Sequence, residues 1–238
     1  MRLDLALVSR NLYSTRARAV AAIKSGLVTV NGTCVQKPSM NVTDTDVIVG
    51  GDLPYSTGRG GLKLAAALDA FGVNPDGYIC LDVGASTGGF TEILLSRGAS
   101  RVIAVDVGTN QLSDSVRNDA RVTVMEQTDI RGLRPMCAVD LIVVDVSFIS
   151  LTNIMDALVA WSAPCIIVLI KPQFEVLRSI AARHKGVIKS ETDRQNAVQN
   201  VICNFEKNGY KQCGVIESPI RGGSGNVEYL ACLRRVAQ

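Results

Sequence analysis

The chain predicts an α/β fold: a parallel sheet covered by helices on both faces, closed by an antiparallel edge strand and preceded by a small α+β domain. Three observations predict it. From residue 78 onward, short apolar runs alternate with helix-length amphipathic stretches, the pattern of strands joined by crossover helices. The last two apolar runs, 211–217 and 227–234, are separated only by the loop 218–226, too short a connection for a parallel pair. The first fifty residues carry a separate pattern and end in a glycine-rich stretch, 51–61, that reads as a linker. The expected division is therefore 1–50, the linker 51–61, and 62–238.

In the first unit, residues 3–10 have the spacing of a short amphipathic helix. Ser14 stands as an N-cap for a second helix ending near Ser25, where Gly26 closes it. Val28-Thr29-Val30 is a strand, Asn31-Gly32 a tight hairpin turn, and Cys34-Val35 the return. Val47-Ile48-Val49 adds a third strand. In the second unit, Leu62, Leu64, Ala65, Leu68 and Phe71 line the inner side of a helix. Strands are then expected at 79–83, 101–105, 122–126, 140–144 and 165–170. Helices are expected at 89–97, 110–118, 151–161 and 191–208.

Composition excludes several classes. Apolar residues make up 47% of the chain, enough for a large core. No apolar run approaches the length of a bilayer span, and Arg2, Asp4 and Arg10 break the N-terminus, so a cytoplasmic protein is expected. The single histidine, His184, and the absence of any CxxC pair argue against a zinc site and against histidine-based catalysis, so no metal is expected. The net charge of +3 arises wholly in residues 1–50, which hold six Lys/Arg against three acids. A basic module joined to a neutral one suits a polyanion-binding appendage, or equally a solvated basic face.

The densest signal is Leu81-Asp82-Val83-Gly84-Ala85-Ser86-Thr87-Gly88-Gly89-Phe90: a buried strand, an acid, a glycine-rich turn and a helix start. Such a turn brings backbone N–H groups to the mouth of a parallel sheet. Ser86 occupies the second glycine position of a GxGxxG fingerprint, and no GK pair follows, which disfavours dinucleotide and triphosphate ligands. Three further acids follow later strands: Asp106, with Val107 beside it; Asp129, with Ile130 beside it; and Asp145. Asp106 is placed to accept from ribose hydroxyls and Asp129 from an adenine amine. A row of carboxylates suits a ligand bearing a ribose, an amine and no phosphate, and S-adenosylmethionine is one. Any single strand-end acid is more often a cap, but four in one sheet are not readily explained so. The reading is a Rossmann-like class I methyltransferase sheet.

The quoted turn, Val144-Asp145-Val146-Ser147-Phe148-Ile149-Ser150-Leu151, Ile170-Lys171-Pro172-Gln173-Phe174-Glu175, and Ser218-Pro219-Ile220 with Gly225-Asn226-Val227-Glu228-Tyr229-Leu230 together resemble the TlyA family. That family is known as haemolysins and as rRNA 2′-O-methyltransferases, with a catalytic half similar to FtsJ-type enzymes. Residues 1–50 resemble the S-four-type RNA-binding domain through Arg2-Leu3-Asp4, Ser14-Thr15-Arg16, Gly26-Leu27-Val28 and Val30-Asn31-Gly32. The chain departs from the family at Gly108-Thr109-Asn110-Gln111-Leu112, where Gly-Tyr-Gly-Gln-Leu is usual, and at Arg221-Gly222-Gly223-Ser224, where a lysine is usual.

The resemblance implies a Lys63, Asp145, Lys171, Glu228 tetrad. Lys171 would be the base for the ribose hydroxyl, Asp145 would orient it, and Lys63 and Glu228 would position substrate. It also implies S-adenosylmethionine as cofactor and rRNA as partner, at a cytidine, with the large subunit favoured over the small. The phosphate contacts expected of the first unit and the linker are Arg2, Arg10, Ser14, Arg16, Arg18, Lys24, Lys37 and Arg59. Two other classes compete: a membrane-active haemolysin, and a non-catalytic ribosome-assembly factor that keeps the fold.

Overall fold

A computed structural model describes residues 1–13, 16–24, 26–51, 59–177, 181 and 186–236, without the side chains of Ala17, Arg18, Ala21 and Arg59. The chain divides into two compact units, Met1–Arg59 and Gly60–Gln238.

The first unit packs α1 (Leu3–Ser9) and α2 (Arg16–Lys24) on a three-stranded antiparallel sheet, order β2-β1-β3, made of β1 (Val28–Val30), β2 (Thr33–Cys34) and β3 (Ile48–Gly50). Its core is Leu3, Leu7, Ile23, Val28 and Val30, with Tyr13 closing one side. The Asn31-Gly32 turn forms as expected, with both residues at positive φ. The expected N-cap, Ser14, and helix end, Ser25, lie outside the described residues.

The second unit opens with α3 (Arg59–Phe71) and builds a seven-stranded sheet, order β6-β5-β4-β7-β8-β10-β9. The strands are β4 (Ile79–Val83), β5 (Arg101–Val105), β6 (Val122–Met125), β7 (Leu141–Val144), β8 (Cys165–Ile170), β9 (Tyr210–Glu217) and β10 (Tyr229–Arg235). The first five run parallel, and β10 is antiparallel to both β8 and β9. The antiparallel strand thus sits one place in from the edge, which β9 forms. Helices α4 (Gly89–Ser96), α5 (Asp114–Arg117), α6 (Met155–Ala160), α7 (Pro172–Glu175) and α8 (Glu191–Lys207) connect the strands. All six residues of β8 are buried, as a strand covered on both faces requires.

Two expected helices are shorter than the sequence suggests. Only Asp114–Arg117 of 110–118 is helical, because Asn110 takes a left-handed φ of 50° and Glu126 captures the N–H groups of Asn110, Gln111 and Leu112. The 151–161 stretch is a 3-10 turn, Leu151–Asn153, followed by α6, with Ile154 at φ −115° between them.

The strand order places the site. Succession runs outward from β4 through β5 to β6 on one side and through β7 to β8 on the other, so the sheet reverses direction of winding between β4 and β7. Their C-terminal ends flank the crevice where open α/β sheets bind ligands.

Candidate active site

At that crevice Gly84 follows β4 and Asp145 follows β7. Gly84 has φ 85°, and a Cβ there would lie 2.5 Å from the Asp145 carbonyl oxygen. The glycine is needed to let two strand ends meet, not only to admit a ligand. The next glycines serve packing as well. A Cβ on Gly88 would press on Val116, and one on Gly89 would sit 3.1 Å from the Gly61 nitrogen, where the first turns of α3 and α4 touch. Ala85 and Phe90 are buried, whereas Ser86 and Thr87 are exposed, Ser86 with φ 49°. The N-cap position of α4 is Gly88, with φ 94°.

Two of the four acids, Asp82 and Asp129, differ from their expected placement. Asp82 lies inside β4, not at its end, and is fully buried. Its Oδ2 accepts from the Thr91 hydroxyl at 2.6 Å, and its Oδ1 has no hydrogen-bond partner. Desolvation pushes its pKa up to about 7, against the Thr91 hydrogen bonds and with help from the charges of Asp145 and Asp106. Asp106 does follow β5; its oxygens accept from the N–H groups of Ser86 (2.8 Å) and Gly108 (2.7 Å), each keeping a lone pair. Asp129 does not end β6. It caps a 3-10 turn, Ile130–Gly132, and holds Arg131 at 2.6 Å. The acid that ends β6 is Glu126, which sequence reading missed. It accepts three backbone N–H groups and pairs with Arg117 at 2.7 Å, and the Arg117 bond leads the causes that lower its pKa to about 2. Val107 is exposed and Ile130 buried.

Asp82 sets a pH dependence. Unfolded, it ionises near 3.8; folded, near 7. The folded chain therefore holds a proton that the unfolded chain has released, and stability falls as pH rises between those values, by at most roughly 4 kcal/mol. Asp4 and Glu126, both lowered to about 2, act in the opposite sense and only below about pH 4.5, so they leave this window clear. Urea midpoints of the cofactor-free protein should drop from pH 5 to pH 8, and Asp82→Asn should flatten that drop. An unchanged slope in the variant would refute the assignment.

The tetrad residues form two ion pairs. Lys63, in the second turn of α3, donates to Glu228 Oε2 at 2.6 Å, and both are buried. Lys171, directly after β8, lies 2.5 Å from Asp145 Oδ1 and donates to Ser147 Oγ at 2.7 Å. The ladder brings the pairs together: Tyr229 pairs with Ile170, so the next step along the antiparallel strands sets Glu228 opposite Lys171. The loop before Glu228 is shaped around it. Ser218 N–H donates to the Glu228 carbonyl, and a side chain on Gly222 would collide with the Glu228 carboxylate. Buried Asn226 donates to the Gly186 carbonyl and accepts from Ile188 N–H.

Beyond Asp145, Phe148 stands 92% exposed with φ 65°, tilted against Phe174 at 5.3 Å. Glu175 accepts from Ser150 Oγ and Leu151 N–H. Ser147, Asn226, Phe148 and Glu175 lie inside the motifs read above, but spacing alone did not single them out.

The departure at 108–112 is accommodated. Asn110, which tolerates a left-handed backbone, stands at the glycine position, and Thr109 accepts from Gln127.

Of the expected phosphate contacts, three arginines are engaged within the first unit. Arg2 and Arg16 both bond buried Asp4, at 3.0 and 2.9 Å. Arg10 donates to the carbonyls of Asp46 and Thr43. Lys24 and Lys37 are exposed. Ser14 and the side chains of Arg18 and Arg59 lie outside the described residues.

The donor set fits S-adenosylmethionine. An ammonium and ribose hydroxyls are hydrogen-bond donors, and the crevice presents acceptors: the orphan Asp82 oxygen, the spare lone pairs of Asp106, and Asp145.

Comparison with known proteins gives the family and the fold. The FtsJ-like methyltransferase model matches residues 57–235, and the S4 domain model matches residues 1–48. The chain is 43% identical to the 16S/23S rRNA (cytidine-2′-O)-methyltransferase TlyA of Mycobacterium tuberculosis, over 98% of this chain and 89% of that one. It is 39% identical to Hemolysin A of Brachyspira hyodysenteriae, over 97% and 98%. A solved hemolysin-named structure from Streptococcus thermophilus superposes with a TM-score of 0.75 at 36% identity, covering 100% of this chain and 89% of that one.

Proposed function

The chain belongs to the TlyA family of FtsJ-like methyltransferases, and from that membership we propose that it transfers a methyl group from S-adenosylmethionine to a ribose 2′-hydroxyl of ribosomal RNA. The residue proposed is a cytidine, as the names of its relatives from M. tuberculosis and Campylobacter jejuni state for those enzymes. Large-subunit RNA is the favoured target. The observation that carries the reading is the double ion pair, Lys63–Glu228 and Lys171–Asp145, beside the crevice between β4 and β7.

Buried charges are costly, and three buried ones, Lys63, Lys171 and Glu228, clustered with half-buried Asp145 call for a use beyond folding. S-adenosylmethionine, when bound, supplies a methyl already activated by a cationic sulfur. The chain must then deprotonate a weakly acidic hydroxyl and align it. Lys171 Nζ, once its ammonium has released a proton to solvent, would take the hydroxyl proton while the methyl passes from sulfur to the ribose oxygen and the sulfur is left as a neutral thioether. Asp145 and Ser147 fix the amine in place. Lys63, on α3, and Glu228, just before β10, position the ribose. Asp82, Gly84 to Phe90, Asp106 with Val107, and Asp129 with Ile130 hold the cofactor. Phe148 offers a face on which the target base stacks, as single-stranded RNA is commonly held. The first unit supplies affinity for folded RNA, through Lys24, Lys37 and the outer faces of its arginines.

The test is radiolabelled methyl transfer to small subunits, large subunits and bare rRNA from cells lacking this gene, followed by nuclease mapping. Label in a 2′-O-methyl cytidine of the large subunit is expected. Label in a base would refute the reaction. Cofactor binding without transfer to any of the three would favour the assembly-factor reading. The membrane-active reading gains nothing here: among the described residues no helix is long and apolar enough to cross a membrane.

A further inference from the structure

We propose that Glu175 is a positioning residue that holds Phe148 in place for the target nucleotide; this rests on the function proposed above. The two signature segments, 144–151 and 170–175, follow adjacent parallel strands. Each carries one member of the Lys171–Asp145 pair, yet Ser150, Phe174 and Glu175 have no role in the function proposed above.

The structure joins them at three further points. Lys171 Nζ donates to Ser147 Oγ at 2.7 Å, on one side of Phe148. The Ser150 hydroxyl donates to Glu175 Oε2 at 2.6 Å, and Leu151 N–H donates to Glu175 Oε1 at 2.9 Å, on the other side. The Phe174 ring, next to Glu175, meets the Phe148 ring at 5.3 Å. The loop bearing Phe148 is therefore pinned at both ends by the segment after β8.

That pinning has something to hold. Phe148 has φ 65°, a conformation that a bulky residue keeps only when its surroundings over-determine it. Its ring is almost wholly in water, so burial does little to repay the strain and the Phe174 ring is its one aromatic neighbour among the described residues. Burial also pushes the Glu175 pKa up, so its carboxylate is kept there at a cost. Both features are accounted for if the loop is preorganised to receive a base, and Glu175 is the lock. Glu175 touches no reacting atom in this arrangement; it acts through Phe148.

The experiment is a double-mutant cycle on the full chain, with Glu175→Ala and Phe148→Ala, measuring KM for RNA, kcat and cofactor affinity. Glu175→Ala should raise KM for RNA roughly tenfold, with kcat and cofactor affinity within about twofold. Glu175→Gln should stay near wild type, because its amide can still serve both partners with the Ser150 bond reversed. In the Phe148→Ala background, Glu175→Ala should add no more than about a twofold loss. Ser150→Ala, which removes one of the two bonds, should show the same non-additivity at smaller size and covers the case of a poorly folding Glu175→Ala.

Losses that multiply in full across the cycle overturn the proposal. So does a Glu175→Ala loss that falls on kcat or on cofactor affinity. A wild-type chain that methylates no RNA sinks the function reading and this one together, whereas an active wild type with multiplying losses sinks only the lock.

Discussion

Replacing Lys171 with alanine should lower single-turnover methyl transfer by about 10²–10⁴-fold, the usual contribution of a positioned base. Cofactor affinity should fall far less than the rate, since of the groups assigned to the cofactor only Asp145 touches Lys171. The variant also strips Asp145 of the cation 2.5 Å away, so a loss of stability is expected alongside. Lys171→Arg separates the two effects. A guanidinium keeps the charge and can still bond Asp145 and Ser147, but it does not deprotonate. If Lys171 serves only as a counter-ion, the arginine variant keeps most of its activity; if Lys171 takes the proton, it is nearly as slow as the alanine variant. Measured rates with saturating cofactor and RNA decide between these outcomes. Activity above about a tenth of wild type in Lys171→Arg would remove Lys171 as the base.

The elements of the large unit were legible because parallel strands must be apolar on both faces, so runs such as Ile166-Ile167-Val168-Leu169-Ile170 announce themselves without alternation. The crevice was legible from one glycine-rich turn. Three things were not. The purpose of Gly84 depends on Asp145, sixty-one residues away in the chain, and only the β4–β7 ladder brings them together. Sequence reading puts Asp129 at the end of β6, beyond Met125, where the strand stops. Glu126 takes that place by collecting N–H groups of residues fourteen to sixteen positions earlier, a spacing no local pattern encodes. Charge counting also treated Arg2 and Arg16 as free cations, while the fold turns both onto Asp4, whose pKa they hold down to about 2. A count records how many charges a segment carries; the fold determines how many are left over for a partner.

The second large effect is expected at the other ion pair. Glu228→Ala leaves the Lys63 ammonium buried without its carboxylate, and removing one member of a buried pair costs about 3–5 kcal/mol. Urea midpoints of that variant should fall accordingly, and its loss of methyl transfer would then be ambiguous between folding and chemistry. The double replacement Lys63→Met with Glu228→Leu resolves the ambiguity. Exchanging a whole buried pair for apolar side chains of similar volume is often neutral or stabilising, so the double variant should recover most of the stability lost by the single one. Activity should not return with it. On the proposed function the charges are kept for the ribose and not for the fold, so apolar replacements should restore stability alone. A double variant that recovers both stability and methyl transfer would reassign Lys63 and Glu228 to folding alone. The proposed site would then contract to Lys171, Asp145 and the loop that carries Phe148.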